Sequence, residues 1–229
     1  MSNILIRKEK TRLMFSQPES SVSQVMSGAF EKSSVANLRV SDPSVGRGGA
    51  SCTILSSEGT PLTFQLGSQE SPLRSPFGAN VYGAPEVQEK ATRLNLEVDI
   101  SGRDAVIAKF GEIDAQIVAW LRANGDKFKV KNPVEAYRPI VIHDAEYGST
   151  RVRFKLNTAG LNAARGWSMS DQSRISDLKR GVNLKETPFV LVFQVSKVWS
   201  MSRELGCTLE VKHVICTNAT DDVFPMQLG

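Results

Sequence analysis

The segment RLNLEVDISGRDAVIAKFGEIDAQIVAWLRANG, residues 93–125, decides the fold, because its hydrophobic period changes once along its length. Leu94, Leu96, Val98 and Ile100 alternate with Asn95, Glu97 and Asp99, the two-residue period of a strand with one wet face. Ser101-Gly102 breaks that run. From Asp104, Val106, Phe110, Ile113, Ile117 and Leu121 recur at three- and four-residue steps, which predicts an amphipathic helix stopping near Asn124-Gly125. Trp120, beside that stripe, is expected in the core.

Beyond the helix the pattern is nearly all β, with strands expected at 137–143, 150–157, 189–199 and 205–216, separated by turn signals. The run from Phe189 is apolar on both faces at its start, as in a central strand, so Phe189 and Phe193 are expected core residues. Before the helix, 52–55 and 62–66 read as short strands, with Phe64 inward. Residues 67–90 read as a Pro- and Gly-punctuated loop, and the Ser-rich stretch 16–51 as a loosely ordered extension. Strands and helices do not alternate regularly. The expected class is therefore mainly β with one helix (α+β), an elaborated small barrel rather than a doubly wound sheet. The expected division is an N-terminal extension over 1–50, partly flexible, a domain over 51–217 and a tail over 218–229.

Composition narrows the classes. With 41% hydrophobic and 23% charged residues in 229, the chain suits a globular domain and neither a fibrous repeat nor wholesale disorder. Net charge is +4, but residues 122–212 hold 16 Lys and Arg against 9 Asp and Glu. Such an excess serves either solubility or attraction to a polyanion such as nucleic acid. Three cysteines without close pairing argue against a secreted disulfide scaffold and for a reducing, intracellular compartment. Residues 1–15 lack the apolar core of a signal peptide, and no apolar run is long enough to span a bilayer.

Four groups of residues are candidates for binding. In Arg151-Val152-Arg153-Phe154-Lys155-Leu156, strand alternation puts Arg151, Arg153 and Lys155 on one face. Their mutual repulsion calls for a polyanion or acidic neighbours opposite. Lys127, Lys129 and Lys131 interleave with Phe128 and precede Tyr137-Arg138. They suit either base stacking with phosphate contact or simply the cation preference of a helix C-terminus. The segment 158–188 carries Arg165, Trp167, Arg174, Lys179, Arg180 and Lys185, with Trp167 either a stacking platform or a plug for the barrel end. Lys197 and Trp199 close the last group, near the exposed end of their strand.

Catalytic patterns are missing. His143 and His213 have no acidic or cysteine partner at metal-ligand spacing, and no phosphate-cradling glycine loop, dinucleotide fingerprint or nucleophile elbow occurs. Cys207 and Cys216 fall on opposite faces of a regular strand. A non-enzymatic protein without metal or cofactor is expected.

Over about residues 90–217 the chain resembles the single-stranded DNA-binding proteins of tailed phages and large nucleocytoplasmic DNA viruses. The stretches carrying the resemblance are Arg93–Ile100 leading into a helix, Tyr137-Arg138-Pro139, and Gly148-Ser149-Thr150-Arg151-Val152-Arg153-Phe154-Lys155. It continues in Val195-Ser196-Lys197-Val198-Trp199 and Leu205-Gly206-Cys207-Thr208-Leu209-Glu210-Val211. The resemblance implies an oligonucleotide-binding (OB) type β-barrel that coats single-stranded DNA in replication, recombination or repair, with little sequence preference. It also implies replication or recombination proteins as partners; a homo-oligomer is an option, and with no long apolar run no membrane is expected. Phage members end in a long acidic tail, whereas this sequence ends with only Asp221-Asp222 as acids. The rival readings are a viral capsid or nucleocapsid protein packaging nucleic acid, and an RNA-binding module.

Overall fold

The structure, a computed structural model, describes residues 30–35, 37–46, 49–81, 83 and 85–217. Its strands are β1 (Arg39–Val40), β2 (Ser44–Gly46), β3 (Gly49–Leu55), β4 (Leu62–Leu66), β5 (Ala79–Asn80), β6 (Arg93–Asp99), β7 (Tyr137–Arg138), β8 (Val141–Asp144), β9 (Ser149–Asn157), β10 (Arg165–Ser168), β11 (Arg174–Ile175), β12 (Phe189–Met201) and β13 (Glu204–Cys216). Two α-helices join them, α1 (Pro85–Lys90) and the long α2 (Asp104–Asn124). The class is mainly β with one long helix, as expected, and no described helix is long and apolar enough to cross a membrane.

The switch from β6 to α2 has a local cause. The Asp99 carboxylate accepts hydrogen bonds from the Ser101 amide (2.9 Å) and hydroxyl (2.6 Å), and Gly102 takes φ +71°, so the strand ends in a tight turn aimed into the helix. Val106, Phe110, Ile113, Ile117 and Leu121 then bury one helical stripe. That stripe covers one face of the sheet, where Phe110, Phe193, Phe154, Phe64 and Phe30 form a ring cluster with centroids 4.6–5.9 Å apart. We call this the inner face.

The sheet is organised around the β12–β13 antiparallel hairpin. β3 and β4 pair along the free edge of β12, while β7, β9 and β10 pair in parallel along the free edge of β13, and β9 continues into β6 and β5. Residues 189–192 are buried on both faces, as the sequence pattern predicts for a central strand.

Two bulges alter the reading by simple alternation. The register slips between Val192/Phe193, where Lys212 is the extra residue, and between Val195/Lys197, where Ser196 is. Each slip reverses the inward–outward parity of the residues beyond it. Cys207 and Cys216 consequently both pack with the inner core instead of lying on opposite faces. Val198 turns inward, and Lys197 and Trp199 turn outward.

The extension also differs from expectation over its described part. Phe30 is fully buried, β1 and β2 pair with β3, and the Leu38 amide and Val35 carbonyl bond to Gln116 of α2. Sequence reasoning misses this because the abundance of Ser and Gly over 16–51 masks the few apolar residues around Phe30. Residues 1–29 and 218–229, which hold the rest of the expected extension and the expected tail, lie outside the described residues.

Candidate nucleic-acid interface

The face opposite α2 can be drawn from the strand register. In β6 and β9 it presents Arg93, Asn95, Glu97 and Asp99 beside Asn157, Lys155, Arg153 and Arg151. Lys155 aligns with Glu210 of β13, and further along β13 His213 aligns with Arg165, and Ile215 with Trp167. At the other end of the hairpin, Lys197 lies across from Thr208, Trp199 from Gly206, and Gly206 from Arg138. The expected residues Arg138, Arg151, Arg153, Lys155, Arg165, Trp167, Lys197 and Trp199 therefore share one outer face.

The other six do not join them. Tyr137 points inward, its hydroxyl donating to Asp114 of α2 at 2.6 Å, and is nearly buried, so it offers no stacking surface. Asp114 also accepts from the Ile140 amide at 3.0 Å, and its burial raises its carboxyl pKa. Lys127 is engaged by Asp42 at 2.8 Å. Lys129 and Lys131 are exposed in the loop after α2. Lys179 caps the end of α1 through the carbonyls of Glu89 and Ala91, and Arg180 pairs with Glu89 at 2.8 Å. Those two hold a loop to a helix end, a task the C-terminal carbonyls of α1 invite.

Within the outer face the three-cation stripe needs correction. Arg151 is bound by both Glu97 (3.2 Å) and Asp144, with 11% of its side chain exposed, and Arg153 forks onto Glu97 at 2.6 and 2.9 Å. The acidic neighbours that alternation alone cannot locate are thus supplied by β6 and β8. Lys155 differs: it bonds the Asn95 amide oxygen and meets no carboxylate at salt-bridge distance among the described residues. Burial first, then the charges of Arg93 and Arg153, lower its pKa. Replacing all three cations by Glu would crowd carboxylates around Glu97 and damage the fold, so binding cannot be tested that way.

Arg93, Arg165, Arg174 and Lys197 also lack a carboxylate partner among the described residues. Arg138 pairs with Glu204 at 2.7 Å, with both side chains exposed, a contact that contributes little.

Two tryptophans lie on this face. Trp167 packs over Val190 and Ile215, between Arg165 and its cross-strand neighbour Arg174. Its indole N–H donates to His213 Nδ1 at 2.9 Å, which requires that nitrogen to be unprotonated. Burial, then the nearby Arg165 charge, lower the His213 pKa below its ordinary 6.5. Folding thus disfavours the charged imidazole, and the associated stability is lost as pH falls below 6.5. A proton NMR titration is expected to give a His213 midpoint under 6.5; a midpoint above it contradicts the hydrogen bond. Trp199 lies across Gly206, where an added Cβ would stand 2.6 Å from its ring, so glycine is what allows the indole to lie close to the sheet.

Phe77 is a residue that sequence reasoning misses. It is 52% exposed beside Arg151, with the guanidinium 5.1 Å from the ring centre. Its only signal is a lone aromatic in the 75–78 Ser-Pro-Phe-Gly turn, a position that periodicity does not reach.

No family profile and no curated protein matches the sequence. Among solved structures, the chain is similar to the single-stranded DNA-binding protein from bacteriophage Enc34 in complex with single-stranded DNA, at TM-score 0.45 and 11% identity over 81% of this chain and 98% of that one. It is also similar to gp2.5, a single-stranded DNA binding protein encoded by bacteriophage T7, at TM-score 0.39 and 10% identity over 73% and 97%. Among the described residues no group of three or more His, Cys, Asp and Glu is placed to hold a metal ion.

Proposed function

We propose that this protein binds single-stranded nucleic acid, DNA in the first instance, along the outer face, without chemistry and with little sequence preference. One observation carries the reading. The strand register gathers Arg93, Lys155, Arg165, Arg174 and Lys197, none with a carboxylate partner among the described residues, on the same face as Trp167 and Trp199. Unpaired bases stack on rings while cations meet the phosphates between them, and base-edge contacts are not required. Burial first, and then the charges of Arg93 and Arg153, disfavour the protonated form of Lys155, and a bound anion would offset both. Coating of unpaired strands during replication, recombination or repair is the biological role to which such binding is suited.

Titration of the intrinsic tryptophan fluorescence with oligodeoxynucleotides at several salt concentrations tests this. With about four phosphates engaged, the slope of log K against log salt is expected near −3, so a fourfold rise in salt weakens binding by about 60-fold. Lys155→Gln should lower the slope by about 0.7. Equal affinity for duplex and single strand, or a slope near zero, would count against the reading. Competition with RNA of equal length separates the two ligands.

A further inference from the structure

We propose that Phe77 is a stacking platform for an unpaired nucleobase, and that Arg151 is a positioning residue that fixes the Phe77 ring instead of meeting a phosphate. This rests on the reading of the outer face given above.

An exposed phenyl ring normally has no reason to be held in one place. Here the turn that carries it is fastened on both sides to β6. Arg74 bridges to Asp99, whose amide donates to the Arg74 carbonyl at 3.0 Å, and Ala79 and Asn80 pair with Leu96 and Asn95. The Asn80 side-chain amide donates to the Phe77 carbonyl at 3.2 Å, and the Ser75 hydroxyl to the Gly78 carbonyl at 3.3 Å. Gly78 takes φ +64°, a conformation that favours glycine. The backbone of this turn is therefore set before any ligand arrives.

The ring is set by Arg151. Glu97 and Asp144 bind its guanidinium from two strands, leaving the cation 5.1 Å from the Phe77 ring centre. Two carboxylates already neutralise Arg151, so its electrostatic value to a phosphate is small. Its remaining use is as a flat support. A rigid aromatic held in this way stacks a base at low entropic cost, because few rotamers are lost on binding.

The test measures anisotropy on the full chain with oligothymidylate and with an abasic oligomer of the same length and charge. Phe77→Ala is expected to weaken oligothymidylate about 10-fold, to leave the abasic oligomer unchanged, and to keep the salt slope. Arg151→Lys retains the charge but not the planar fork. It should reproduce the Phe77→Ala pattern, whereas a phosphate contact would be largely rescued by lysine. Phe77→Trp should bind as the unmodified chain does and add a fluorescence signal quenched by oligothymidylate. The inference is overturned if the unmodified chain binds while Phe77→Ala keeps its oligothymidylate affinity, or loses both ligands equally. Absence of binding by the unmodified chain overturns the outer-face reading as well.

Discussion

Replacing Glu97 by Ala is expected to cost about 3–5 kcal/mol of folding stability, the loss typical of a nearly buried charge pair deprived of one member. Glu97 is 8% exposed and holds two guanidinium groups, and Arg151 beside it has almost no access to water. Once Glu97 is removed, Arg153 can turn to solvent, since 41% of its side chain is already exposed, but Arg151 keeps only Asp144. Urea denaturation should show the midpoint falling by about 1–2.5 M, given an m-value of about 2–3 kcal/mol/M for a domain of this size. Replacing Glu97 and Arg151 together by apolar residues should recover part of the loss, because the most buried orphaned charge goes while Asp144 loses its cation and Arg153 turns to solvent. A single-variant loss under about 1 kcal/mol would mean that the pair is open to water and the register between β6 and β9 is wrong.

Phe30→Ala should be of similar size, about 3–5 kcal/mol, for a different reason. The ring touches Phe110 at 4.6 Å, Phe64 at 5.2 Å and Phe193 at 5.4 Å between centroids, so its removal leaves a hole at the point where α2 meets the sheet. For a chain of this length, a melting temperature lower by roughly 10 °C is expected. An unchanged melting curve would detach Phe30 from the core and restore the loosely ordered extension that composition suggests.

These two residues mark what can and cannot be read from the chain. The strand and helix around Ser101-Gly102 are legible because periodicity is a local signal, and Leu94 to Leu121 carry it without interruption. The pairing of Arg151 and Arg153 is not legible, since their partner Glu97 lies more than 50 positions earlier and register between distant strands leaves no local trace. Unbroken alternation assigns Trp199 and Lys197 to a shared face with Phe193, and a single extra residue at Ser196 reverses that assignment. β10 escapes sequence reasoning altogether. Arg165-Gly166-Trp167-Ser168 has no alternation of its own, because Gly166 fits under Leu178 and Ile175 where a side chain would collide.

The parallel seam along β13 constrains when the molecule can fold during synthesis. Residues 137–138, 155 and 165–168 all find partners in the strand that ends at Cys216, so the earlier segments wait for the last one to leave the ribosome. A nascent chain halted between β12 and β13 would leave the edge of β12 that β13 covers, and the parallel partners β7, β9 and β10, without their pairing strand.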